Sequence, residues 1–195
     1  MPGEPKTQMR TAVLASGTGS ILDAMLDEGV PIEVVILDRP CGAAAVAQRH
    51  NVPCEMLERV SFGEDFDRYA YTDQVIASLR AHSVDLVIMA GYGTIFAQQM
   101  FAAFGGRIVN THPALLPAFK GWHAVRDALA AGVKVTGCTV HVATAEVDAG
   151  PILAQEAVRV EEGDTEQTLH ERIKQVERKL YVNTVKDIVD RGFVL

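Results

Sequence analysis

The chain has 195 residues, 48% of them hydrophobic, and a formal charge of −7. That size suits one domain with a substantial core, and the charge opposes a generic nucleic-acid or anionic-membrane binder, because phosphates and acidic lipids repel a negative partner. An odd number of cysteines (Cys41, Cys54, Cys138) without C-x-x-C spacing, and six scattered histidines without an H-E-x-x-H pair, predict no disulfide framework, no metal cluster and a reducing, cytoplasmic location.

Residues 1–9 are polar, contain two prolines and lack the apolar centre of a signal peptide, so a disordered leader is expected before a single domain over 10–195. Nowhere does an apolar run approach the ~18 residues of a membrane helix. A short apolar strand, 11–15, opens the domain and ends in Ser16-Gly17-Thr18-Gly19-Ser20, after which Ile21, Leu22, Met25 and Leu26 recur at helical spacing. Strand, glycine-rich turn and helix begin a nucleotide-type α/β fold, whose free N–H groups at the helix start can meet a phosphate. The loop lacks the third glycine of G-x-G-x-x-G and the Gly-Lys-Ser/Thr of a Walker loop, so a monophosphate suits it better than a dinucleotide.

Continuous apolar runs at 32–37 and 85–90 are expected of parallel strands covered on both faces. A third strand is predicted at 52–57 and helices at 43–50, 65–81 and 95–104, which completes a strand-helix alternation up to a further strand at 107–110. That strand delivers Asn110 and His112 to one face, two residues apart, before Pro113 and Pro117 stop regular structure. A carboxamide beside an imidazole can bind an oxyanion and move a proton at one carbon centre. Beyond a helix over 122–131, two β-rich runs, 134–145 and 151–160, flank a turn bearing Asp148 and form an antiparallel pair. A long amphipathic helix over 165–191, ended by Gly192, closes the chain. The fold class is thus α/β: a doubly wound, mostly parallel open sheet with a Rossmann-like N-terminal half, antiparallel strands at one edge and a long C-terminal helix.

Asn110-x-His112-Pro-x-Leu-Leu-Pro117, then Gly137-x-Thr-x-His141, then Asp148-x-Gly-Pro151, in that order, resemble the folate-dependent formyltransferases over about residues 10–181. With the 16–20 loop added, the similarity is to members that formylate glycinamide ribonucleotide (GAR) in purine synthesis. The resemblance implies N10-formyltetrahydrofolate as co-substrate, no metal, small-molecule partners only, and Asn110, His112 and Asp148 as the catalytic group, with His123 and His141 nearby; a homodimer is left open. It further implies that GAR meets Gly17, Thr18, Gly19, Ser20, Arg68, Lys174 and Glu177, and that folate meets Tyr92, Gly93, Thr94, Ile95, Phe96, Ala143, Thr144 and Glu146. Two departures stand out: Ile21 replaces an Asn after the phosphate loop, and Tyr92-Gly93-Thr94 replaces Phe-Met-Arg along the folate wall. A wide, neutral wall is therefore expected, one that Gly93→Met with Thr94→Arg would improve. Formyltetrahydrofolate deformylase, a hydrolase with the same Asn-His-Asp group, and a non-catalytic nucleotide-phosphate binding module are the alternative functions.

Overall fold

Alternation along each strand decides which helices cover which face of the sheet. The computed structural model describes residues 9–61, 63 and 65–195. Its strands β1 (Thr11–Ala15), β2 (Ile32–Leu37), β3 (Cys54–Met56), β4 (Leu86–Ala90), β5 (Ile108–His112), β6 (Val135–Val142) and β7 (Ile152–Arg159) form one sheet in the order β3-β2-β1-β4-β5-β6-β7. Pairing is parallel from β3 to β5 and antiparallel for β5 with β6 and β6 with β7.

Six helices are described: α1 (Ser20–Asp27), α2 (Ala43–Arg49), α3 (Arg68–Ala81), α4 (Gln98–Phe104), α5 (Ala124–Ala130) and α6 (Glu166–Arg191). Val13 and Ala15 of β1 pack with Leu22, Met25, Val185 and Ile188, whereas Ala12 and Leu14 pack with Tyr71, Val75, Leu79 and Met100. Both faces of β1 are dry, which is why its sequence shows no polar alternation. The expected leader lies outside the described residues up to Gln8, and Met9, expected within it, packs partly buried against the first of these cores.

On α6, a Thr165 side chain accepts the Thr168 N–H in a capping box, and Gly192 stops the helix at φ +83°. Its buried stripe includes Glu177 and Tyr181. The Tyr181 hydroxyl sits 2.7 Å from the Val109 carbonyl and 3.1 Å from that of Met89, tying β5 and β4 to the helix.

Between β1 and β4 the winding direction reverses, and ligands of such sheets bind beyond the strand ends there. The loops after these strands meet directly, Gly93 N–H donating to Ser16 Oγ at 2.8 Å. Several elements, α3 and β6 among them, are shorter than the periodicity predicts. α4 starts at Gln98 because 92–96 is extended, with Tyr92, Thr94 and Phe96 buried and Ile95 exposed. α5 starts at Ala124, after Gly121 at φ +94°, and β3 pairs with β2 over three residues only. Apolar content alone does not distinguish a helical turn from an extended segment whose alternate side chains are buried.

Candidate active site

β5 presents Thr111 to one side and Asn110 and His112 to the other, as strand alternation requires. Thr111 Oγ1 donates to Glu177 Oε1 at 2.9 Å, so that face belongs to α6. On the opposite face the Asn110 carboxamide nitrogen lies 3.3 Å from His141 Nε2. His141 Nδ1 faces the Val142 carbonyl at 3.1 Å, which can only accept, so the neutral ring carries its hydrogen on Nδ1 and accepts from Asn110 through Nε2. Burial lowers the His141 pKa below its ordinary value and so favours this neutral form, against smaller opposing effects from the Val142 carbonyl and Asp148. With the ring 1% exposed, His141 orients Asn110 from behind.

His112 Nε2 lies 2.8 Å from the Phe119 carbonyl, which fixes that hydrogen on Nε2. Nδ1 is then the atom that takes up a proton, and it faces Asp148 Oδ2 at 3.3 Å. The same carboxylate oxygen accepts Gly121 N–H at 2.8 Å, while Oδ1 lies 3.6 Å from His141 Nε2. Phe119 and Asp148 both hold positive φ, +52° and +53°; this turns the Phe119 carbonyl and the Asp148 side chain toward His112. Asn110, His112, His141 and Asp148 are therefore brought together. His112 can donate to an oxyanion through Nε2 only by giving up the Phe119 carbonyl. His123, expected nearby, stands at the N-cap position of α5 without a side-chain capping bond and is exposed.

The residues between these groups have structural work. A Cβ on Gly137 would lie 2.1 Å from the Glu156 carbonyl oxygen of β7, and one on Gly150 would lie 1.8 Å from the Val142 oxygen. Only glycine fits at either place. Thr139 Oγ1 accepts Leu116 N–H at 3.0 Å and donates to the Ala114 carbonyl at 2.7 Å. The 113–121 loop is thereby fastened to β6, which carries His141.

In the 16–20 loop, Gly19 sits at φ +81° as N-cap of α1, and a Cβ there would come within 2.7 Å of Ala43 Cα. Gly19 thus allows the close approach of α1 and α2, where the sequence suggested approach to a phosphate. Gly17 is the open position, with no heavy atom within 4 Å of a Cβ built on it. Ile21 is half-buried and packs on the first core. Glu177 is buried beneath β5, and burial pushes its carboxyl above the usual range. Lys174, one turn earlier, is half-buried and pairs with Glu171 at 2.8 Å.

The 92–96 segment, expected to wall the folate site, differs from expectation. Thr94 is 1% exposed and donates to Asp38 Oδ2 at 2.9 Å, so its side chain points away from the cleft. Tyr92 and Phe96 are buried with stacked rings 5.5 Å apart. Gly93 and Ile95 face a cavity of about 230 Å³ that Arg59, Arg68 and Trp122 also line. That wall is neither wide nor neutral, because a Cβ on Gly93 would lie 3.0 Å from Arg39 Nη2 and 3.7 Å from Trp122 Cη2. Arg68, expected beside GAR, stands on this cleft. Sequence reasoning missed Arg39, Arg59 and Trp122; the last carried a signal, as the only tryptophan of the chain. Across from the wall, Ala143 N–H donates to the Ile108 carbonyl, Thr144 Oγ1 donates to the Glu146 carbonyl, and the exposed Glu146 side chain lies 3.5 Å from Lys120.

Among the described residues one group of side chains has metal-ligand spacing, Asp23, Asp27 and His50. Asp23 Oδ1 is already held by Arg49 at 2.5 Å and His50 at 2.9 Å, so the group is a surface ion-pair cluster joining α1 to α2.

The formyl transferase family model matches residues 9–185. Phosphoribosylglycinamide formyltransferase of Mycobacterium tuberculosis (strain ATCC 25618 / H37Rv) is 48% identical over 193 residues, covering 96% of this chain and 88% of that protein. The enzyme of the same name from Bacillus subtilis (strain 168) is 36% identical, covering 91% and 93%. The crystal structure of glycinamide ribonucleotide transformylase 1 from Symbiobacterium toebii superposes with a TM-score of 0.88 at 39% identity, covering 97% of this chain and 93% of the other. A match over nearly the whole domain, together with this identity to full-length relatives, shows that the chain belongs to the formyl transferase family.

Proposed function

We propose that the chain transfers the formyl group of N10-formyltetrahydrofolate to the amino group of glycinamide ribonucleotide, a step of purine biosynthesis, with Asn110, His112 and Asp148 as the catalytic group. The observation that carries this reading is the contact chain from Asn110 through His141 and Asp148 to His112, on β5, β6 and the turn that follows β6. As the amine attacks, the formyl oxygen becomes an oxyanion, and the second amide hydrogen of Asn110, not engaged by His141, stabilises it. The amine loses one proton and the departing folate nitrogen gains one. His112 Nδ1 and Asp148 hold that proton between the two events.

In this reading the GAR phosphate lies on the backbone amides of Gly17, Thr18, Gly19 and Ser20, at the N-terminus of α1. Glu177 accepts from the ribose hydroxyls, and Lys174 stands at the rim. Folate is held by the main chain of Tyr92, Gly93, Thr94, Ile95 and Phe96 and of Ala143, Thr144 and Glu146. No helix is long and apolar enough to cross a membrane, and the described thiols are free, in keeping with a cytoplasmic enzyme.

The test mixes the protein with GAR and formyl-tetrahydrofolate and follows the absorbance of the released folate. Release that depends on GAR is expected. Equal release without GAR would make the protein a hydrolase, and binding of GAR without release would make it a non-catalytic module.

A further inference from the structure

The pairing register sets His112, Thr139 and Gln155 in one row across β5, β6 and β7. Side chains directly opposite on neighbouring strands share a face and lie within reach of one another. The 113–121 loop leaves β5 after His112, crosses this row and returns to it. Its first half lies on β6: Leu115 Cδ2 stands 2.8 Å from where a Gly137 Cβ would be, and Ala114 and Leu116 are buried. Its second half brings the Phe119 carbonyl to His112 Nε2 and Gly121 N–H to Asp148.

A closed set of hydrogen bonds holds the first half. The fully buried Thr139 hydroxyl donates its one hydrogen to the Ala114 carbonyl and accepts Leu116 N–H. Its remaining lone pair accepts from Gln155 Nε2 at 2.9 Å. The other amide hydrogen of Gln155 goes to the Leu116 carbonyl, also at 2.9 Å. That carbonyl can only accept, so the amide nitrogen and not its oxygen faces the loop. Both main-chain groups of Leu116 are thus held, one through Thr139 and one by Gln155. Gln155 itself is exposed on the edge strand of the sheet, where packing asks only for a side chain that tolerates solvent.

The consequence reaches the catalytic ring. Two acceptors compete for the hydrogen of neutral His112: the Phe119 carbonyl, 2.8 Å from Nε2, and Asp148, 3.3 Å from Nδ1. The hydrogen bond made at one ring nitrogen decides which tautomer is present. A carboxylate is the stronger acceptor, so the hydrogen stays on Nε2 only while the carbonyl is held close. We propose that Gln155 is a positioning residue of the catalytic pair. From two strands away it anchors the 113–121 loop, and through the Phe119 carbonyl it keeps the His112 hydrogen on Nε2 and leaves Nδ1 to take up a proton. The kinetic part of this assignment rests on the formyl-transfer reading above; the tautomer does not.

Three substitutions of similar reach separate donor from shape. Gln155→Met keeps the volume and removes the donor, Gln155→Glu presents an acceptor to two acceptors, and Gln155→Lys restores donors. Long-range proton–nitrogen correlation spectra of the isotope-labelled protein, at a pH where the ring is neutral, report the tautomer of each histidine, and His112→Ala identifies the His112 signals. The hydrogen is expected on Nε2 in the natural protein and in Gln155→Lys, and shifted toward Nδ1 in Gln155→Met and Gln155→Glu. In steady-state assays Gln155→Met and Gln155→Glu should lower kcat about tenfold or more with the GAR KM near its natural value, while Gln155→Lys keeps most of the activity. A hydrogen that stays on Nε2 in Gln155→Met, one already on Nδ1 in the natural protein, or kcat losses of one size in all three variants would each overturn the assignment. The expected tautomer shift in a protein that shows no formyl transfer would leave the positioning role standing and refute the transfer reading instead.

Discussion

His112 and Asp148 form a pair whose geometry is set by groups that neither enters nor leaves the reaction. The Phe119 carbonyl holds one edge of the ring, and Gly121 N–H holds the carboxylate. Asp148→Asn is an informative substitution because Asn tolerates the left-handed backbone and can still accept from Gly121. What it removes is the negative charge opposite Nδ1. His112→Ala and Asp148→Asn should each lower kcat by a factor of ~10² or more, while the dissociation constant of GAR, measured by calorimetry, changes little. Near-normal turnover in either variant would sink the proton-holding role. Both residues became candidates through the ordered motifs of the family resemblance, since an Asn-x-His pair at a strand end is by itself a common turn former. The Phe119 carbonyl did not, because every residue has one and only folding decides where it points.

Two glycines of one turn separate at the level of elements. Gly19 is needed where α1 meets α2, and its positive φ is costly for any other residue; Gly17 is needed for neither reason. Gly19→Ala should therefore destabilise the fold by roughly 1–3 kcal/mol, from backbone strain and overpacking, seen as a lower Tm. Gly17→Ala should leave Tm nearly unchanged and raise the GAR KM about tenfold, because its new methyl group stands where a phosphate would approach the amides. An unchanged GAR KM in Gly17→Ala would remove the phosphate from this loop. Spacing in the sequence marks the turn but treats the two glycines alike. Which one touches a neighbouring helix depends on how α2 is laid down from the next strand.

Across the whole molecule, α6 reaches from the antiparallel edge to the first core and carries Glu177 under β5. Burial raises the Glu177 pKa, and the Thr111 hydroxyl, Lys174 and Arg178 oppose it. A carboxyl whose pKa is higher folded than unfolded costs stability above its folded value and costs nothing below its unfolded one. Glu177→Gln should thus raise Tm at about pH 7.5, and the gain should fade toward about pH 4, where the native carboxyl is neutral in both states. The same variant should raise the GAR KM, because a carboxamide accepts more weakly from the ribose hydroxyls. A gain of equal size at both pH values would show that the charge is not its cause.

Hydrophobic period and turn chemistry determined the strand-helix alternation, the antiparallel edge and the long last helix, because each depends on neighbours within a few positions, and three ordered motifs singled out Asn110, His112 and Asp148 as candidates. The tertiary structure alone decided that Thr94 turns inward to Asp38 while Gly93 turns outward beneath Trp122, and that Arg39, Arg59 and Arg68 share one cleft. These side chains come from separate segments between 38 and 122, brought together at the strand ends by sheet pairing. A cleft assembled from five separate segments leaves no local spacing to read.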